Sequence, residues 1–206
     1  METFSCKSAA SFLIVIFVIY SSINSGCAAR PAAGNTNTEF IRTSCSATTY
    51  PTLCYSYLSS QATAIKKDPK LLAHAALSVS LDSARSTSAD MATLSRAAGM
   101  TRREAGAMRD CVEELSDSVD ELRKSMAEMN QLIKGGGGGS NFAMMMSDIQ
   151  TWVSAALTDE DTCMEGFAGK FMNGAAKTAV RTRIVSVAHM TSNALALINC
   201  YAAFHG

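Results

Sequence analysis

Between Thr101 and Ile133 the apolar residues return every three or four positions, at Val112, Leu115, Val119, Leu122, Met126, Met129 and Ile133. That spacing is the 3.6-residue period of an amphipathic helix, held over three heptads. Thr101 followed by Glu104 makes a capping-box start. Glu113, Glu114, Asp117, Asp120, Glu121, Arg123 and Lys124 fall on the flanks and outer face, acids before bases, in the sense the helix dipole favours. Leu77, Leu81, Ala84, Ser88, Met91, Leu94 and Ala98 form a second stripe, with Pro69 suited to its first turn and Gly99 to its stop. A third helix is expected over 141–158, where Ile149, Trp152, Val153, Ala156 and Leu157 share a face. Trp152, the only tryptophan, reads as a buried anchor, and Met144, Met145 and Met146 as gap-filling core. The fourth helix starts near Ala175 and carries Val180, Ile184, Val187, Thr191, Leu195, Ile198 and Ala202. No segment alternates with period two. The pattern predicts an all-α protein, an up-and-down four-helix bundle over 69–204.

Ahead of the bundle, Glu39 to Ser60 reads as two short helices turning at Tyr50-Pro51, with Thr52 opening the second. A helical hairpin of this size cannot hold a core alone, so it must dock on the bundle or exchange onto a second copy. The expected state is a monomer, with a hairpin-swapped dimer as the alternative. Gly135 to Gly139 and Ser140 form a flexible linker, 135–140. The glycines do not fit a phosphate-binding loop, because no Gly-Lys-Ser/Thr follows and no strand precedes them. Gly166 to Gly174 is expected to interrupt the helices.

Residues 1–29 change the picture of where the chain works. Ser11 to Tyr20 is an apolar run of signal-peptide length, Lys7 gives a weakly basic start, and Cys27-Ala28-Ala29 offers a cleavage site. The run is shorter than the roughly 20 residues a spanning helix needs, so export is the reading and a retained anchor the alternative. Residues 30–38 are small and polar, an expected disordered start, and 39–206 form the domain. The formal net charge is zero, which gives no basic surplus for nucleic acid. Cleavage would leave Cys45, Cys54, Cys111, Cys163 and Cys200, an odd set with at least one thiol outside internal pairing. Spacing favours only Cys45 with Cys54 and leaves the others open. No N-glycosylation sequon is present.

Catalytic chemistry is sparse. His74, His189 and His205 are scattered, and the first two read as satisfied, partly buried side chains. No nucleophile elbow, zinc-binding His pair or C-x-x-C occurs. Asp159-Glu160-Asp161 lacks the spaced ligands of a calcium loop and reads as a solvated acidic run. The expectation is no enzyme, no cofactor and no metal. Glu113, Asp117 and Asp120 step by four and three into one acidic ridge, which is either a binding surface or simply a wet helix face. A bond between Cys111 and Cys163 would set that ridge beside Thr162 and Glu165 in one rigid patch.

Four motifs occur in order: C-x-x-T-x-Y-P-x-x-C at 45–54, C-x-E-x-x-x-D-x-x-D at 111–120, TWVSAALTDEDTC at 151–163 and TSNALAL at 191–197. Together they resemble the plant invertase and pectin methylesterase inhibitor family, from about Glu39 to Phe204. The resemblance implies a four-helix bundle with an N-terminal hairpin, bridges Cys45–Cys54 and Cys111–Cys163, and Cys200 left as the free thiol. It also implies a protein exported to the plant cell wall or apoplast, without catalysis and without membrane attachment after cleavage. Its partner would be pectin methylesterase, bound reversibly one to one across the pectin cleft, or acid invertase. The contact residues it implies are Glu113, Asp117, Asp120, Thr162 and Glu165. Cell-wall invertase inhibitors of the family share a Pro-Lys-Phe tripeptide between the third and fourth cysteines. Here that interval reads Lys134, five glycines, Ser140, Asn141 and Phe142, which favours the esterase. The glycine run itself departs from the family pattern. Two further readings remain: a detached esterase pro-region acting in trans, and a carrier of a small apolar ligand in a Met- and Ala-rich interior.

Overall fold

The computed structural model describes residues 36–96, 99–135, 140–168 and 175–204. The expected signal peptide, most of the disordered start, Gly136 to Gly139 of the linker, and His205 lie outside the described residues. Helix α1 (Asn37–Cys45) is capped by Thr36, whose hydroxyl accepts the Glu39 N–H. Helix α2 (Pro51–Leu58) starts at Pro51, one residue before the expected Thr52, because proline is pre-set for the first helical position. The hairpin then runs past Ser60 through a 3-10 turn (Ser59–Gln61) and a short α3 (Ala62–Ile65). Lys66 and Lys67, both with left-handed φ, turn the chain into α4 (Pro69–Leu94), where the Asp68 carboxylate accepts from the N–H groups of Lys70 and Leu71. Helix α5 (Arg102–Ile133) has both halves of the Thr101–Glu104 capping box. Gly135, at φ 87, follows its last turn in a conformation that suits glycine. Helices α6 (Ser140–Gly166) and α7 (Ala175–Ala203) complete the bundle.

The four long helices make a ring, α4 beside α5, α5 beside α6, α6 beside α7, and α7 back on α4. Cross-links give the directions. Cys111 pairs with Cys163 and Ser118 with Glu160, so α5 and α6 run antiparallel. Thr191 with Glu160 and Asn199 with Gln150 do the same for α6 and α7. His74 near the start of α4 meets Asn130 near the end of α5. The architecture is the expected up-and-down bundle with an N-terminal hairpin.

The core has three parts. The middle layer includes Leu77, Leu122, Met129, Met146, Ile149, Val153, Val187 and Ile198. The end nearest the Cys111–Cys163 bridge holds Met91, Met108, Leu115, Phe167, Val180 and Ile184. The hairpin contributes Ile41, Leu58 and Ile65 against Leu72, Ala75, Ala76, Ala194 and Leu197 of α4 and α7. It is therefore folded back on its own bundle.

Three sequence expectations need correction. Trp152 is only half-buried. The buried line of α6 is Ile149, Val153, Ala156, Glu160 and Cys163, with Phe167 just past the helix end, and Trp152 lies roughly 100° off its neighbour Val153, at the edge. Met145 and Met146 are core, but Met144 is 60% exposed. Glu160, read as part of a solvated run, is 0% exposed, because it continues the inward line by steps of three and four.

A carboxylate-lined face pinned by a disulfide

Helices α5 and α6 form the closest pair in the bundle, and a covalent bond fixes their register. Cys111 and Cys163 are bonded with their Cα atoms 4.3 Å apart, both sulfurs lying in the core. The second bridge, Cys45–Cys54, closes the hairpin with Cα atoms 5.6 Å apart. Cys200 is also disulfide-bonded, so the free thiol expected there is not what the structure holds.

Glu113, Asp117 and Asp120 are exposed on α5, and Thr162 and Glu165 are exposed beside Cys163 on α6. The Thr162 hydroxyl donates to the Thr158 carbonyl 2.8 Å away, inside its own helix. Asp120 pairs with Arg123 on the surface. Helical geometry sorts the acids of α5 onto two sides. Counting roughly 100° per residue, Glu114 and Glu121 lie on the side of Asp117 that leads toward Ser118 and Cys111, where α6 packs. Glu113 and Asp120 lie on the other side, turned further out.

The residues that meet α6 therefore form a second ridge, Glu114, Asp117 and Glu121, which shares Asp117 with the expected one. Asp159 of α6 faces it. Partial burial, followed by the charges of Glu114, Asp117 and Glu121, pushes the Asp159 carboxyl up to about 6. Along the same seam, burial and then Asp148 of α6 raise the Glu128 carboxyl. Like charges thus confront one another from both helices along much of the α5–α6 groove. Lys124 reaches Glu121 at 3.0 Å and Arg123 binds Asp120. A surface with this charge is suited to a partner that brings cations or to a medium that supplies protons.

Glu114, Glu121 and Asp159 were missed by the sequence reading, although the steps of Glu114–Asp117–Glu121 are as regular as those of Glu113–Asp117–Asp120. The position of Cys111 was the available signal, since a cysteine bonded to the neighbouring helix marks the inward side. The two bundle histidines are occupied as expected. His74 Nε2 lies 3.0 Å from Asn130 Oδ1, and the His189 ring stacks on Tyr50 at 3.6 Å. Among the described residues no group of three His, Cys, Asp or Glu side chains is placed to hold a metal ion. Among the described residues, one hollow is lined by Tyr57, Ala76, Val79 and Met190 and another by Phe167, Lys177 and Arg181.

Comparison with known proteins agrees with this architecture. The family model described as plant invertase/pectin methylesterase inhibitor matches residues 39–197. The 21 kDa protein of Daucus carota is 45% identical over 81% of this chain and 86% of its own. Pectinesterase inhibitor 11 of Arabidopsis thaliana is 40% identical, covering 93% of this chain and 96% of its own. Among solved structures, the mutant form A of a pectin methylesterase inhibitor from Arabidopsis superposes with a TM-score of 0.60, over 80% of this chain and 97% of that one. Its sequence identity is 21%, so that likeness speaks for the fold. With the helical hairpin, the bundle and both bridges in place, the chain belongs to the plant invertase/pectin methylesterase inhibitor family.

Proposed function

We propose that this protein is a secreted inhibitor of pectin methylesterase that binds its target reversibly, one to one, and blocks the pectin-binding cleft with the α5–α6 face. The observation that carries the reading is the 40% identity, over 93% of the chain, to a protein named a pectinesterase inhibitor. The mechanism is steric and needs no chemistry from the inhibitor. A face whose two helices are bonded to each other loses little freedom on docking, so less of the contact energy goes into ordering it. Glu113, Asp117, Asp120, Thr162 and Glu165 are the proposed contacts, and Glu114, Glu121 and Asp159 join them because they line the same groove.

Secretion into the cell wall rests on the apolar run Ser11 to Tyr20 and on the cleavage site after it. No described helix is long and apolar enough to cross a membrane. Inhibition of acid invertase is the less supported alternative, since the Lys134–Phe142 interval lacks the Pro-Lys-Phe tripeptide.

Docking removes water from these carboxylates, and a neutral carboxyl is cheaper to desolvate than a charged one. Asp159, held near 6, takes up a proton as pH falls from 7 to 5. Inhibition should therefore be several-fold stronger at pH 5 than at pH 8. The test is a titration of the protein, disulfides formed, against a plant pectin methylesterase and a cell-wall invertase across that range. Loss of esterase activity alone supports the reading; loss of invertase activity alone transfers it to the other target. An inhibition constant that stays flat with pH removes the carboxylates from the contact.

A further inference from the structure

Glu160 lies inside the bundle where three helices meet. Its side chain comes from α6 and is 0% exposed. Its Oε1 accepts the Ser118 hydroxyl of α5 at 2.9 Å and the Thr191 hydroxyl of α7 at 3.0 Å. Its Oε2 is buried without a protein hydrogen-bond partner. Ser118 and Thr191 are themselves 0% exposed, so the group is closed off from bulk water on every helix that touches it.

Apart from two hydroxyl donors, the surroundings offer an anion no counter-charge. Asp159 and Asp161, its neighbours on α6, are both carboxylates and both act against its ionisation. From α5 the touching group is the Ser118 hydroxyl, and the nearby charges Glu114, Asp117 and Glu121 crowd Asp159. From α7 it is the Thr191 hydroxyl, while His189, two residues away, is stacked on Tyr50. A buried carboxylate with no cation beside it costs several kcal/mol, whereas the protonated acid keeps both hydroxyl bonds and carries no charge.

We propose that Glu160 is an internal proton switch: as a neutral acid it ties α5, α6 and α7 together, and on losing its proton it loosens the bundle. The consequence is a protein built to be firmest in an acidic medium and to weaken as the medium turns neutral. This follows from the core alone and holds whichever enzyme the protein meets.

Burial raises the carboxyl in the folded state from 4.5 to about 8, outweighing the two hydrogen bonds, which act in the opposite sense. A group whose pKa is raised by folding contributes stability that is complete below its unfolded value. That contribution is lost steadily as pH rises to the folded value. The window is therefore about pH 4.5 to 8. Asp159 has a raised pKa as well, so the total pH dependence does not isolate Glu160.

The discriminating experiment compares thermal melting of the wild type with Glu160→Gln at pH 5, 6.5 and 8. Glutamine keeps an oxygen for Ser118 and Thr191 but cannot ionise. Relative to wild type, the variant should gain at least about 5 °C between pH 5 and pH 8. A difference in melting temperature that stays constant across the three pH values overturns the proposal. If the variant does not fold, the carboxyl 13C shift of Glu160 in the labelled wild type decides instead. A protonated signal at pH 6 supports the switch, and an ionised one overturns it.

Discussion

Asp117 belongs to two ridges at once, the outward one with Glu113 and Asp120 and the inner one with Glu114 and Glu121. It is the residue through which the proposed contact face can be tested. Asp117→Ala should weaken esterase inhibition about tenfold, and more than Asp120→Ala does, because Asp117 lies nearer the groove with α6. Asp120 is joined to Arg123 across an exposed pair, which is worth little to the fold. Both changes should leave helix content and melting nearly unaffected, as surface substitutions usually do. Inhibition constants beside circular dichroism check this, and an unchanged affinity would leave the ridge merely solvated. The charged residues also show how far the sequence could be read. Asp159, Glu160 and Asp161 look alike as letters, yet Glu160 is buried and Asp161 exposed. The inward line of α6 could be followed by its spacing up to Ala156. An acid at the next position hides the rest of that line, although the helical period continues through Glu160 to Cys163.

At the scale of elements, the helices were legible because each buries an apolar stripe, and their starts were legible where Thr101 and Pro69 mark them. Their partners were not. Spacing selected the Cys45–Cys54 bridge, but nothing local distinguishes Cys111 with Cys163 from the other long-range pairs, and that pairing came from the family resemblance. The two bridges should differ in what they contribute. Cys111 and Cys163 are 52 residues apart and Cys45 and Cys54 only 9. On chain-entropy grounds the first restricts the unfolded chain by about 4 kcal/mol and the second by about 2.5 kcal/mol. Replacing Cys111 and Cys163 by alanine should lower the urea midpoint more than the same change at Cys45 and Cys54. It should also weaken inhibition, because the α5–α6 face loses its fixed register. Equal shifts for the two double variants would show that the unfolded chain is already compact around the longer loop.

Across the whole molecule, the hairpin and the bundle are joined by a polar clamp as well as by apolar packing. Asn193 of α7 is 4% exposed, and its side-chain amide meets the backbone of Tyr50 twice. Oδ1 accepts the Tyr50 N–H at 3.0 Å and Nδ2 donates to the Tyr50 carbonyl at 3.0 Å. The same residue's ring rests on His189. Tyr50 stands where α1 and its turn pass into α2, so holding it holds the corner of the hairpin. Asn193→Ala would leave a backbone donor and acceptor without partners, at a cost of about 1–3 kcal/mol. The apolar contacts of Ile41, Leu58 and Ile65 would remain, so the hairpin should open more often rather than unfold outright. Hydrogen exchange should show this as a loss of protection of about tenfold or more, confined to amides from Asn37 to Ile65, with those of α5 and α6 unchanged. Uniform loss along the chain would instead mean that hairpin and bundle open as one unit. A local opening frees the apolar underside of the hairpin while the bundle persists, which is the condition for it to settle on a second copy.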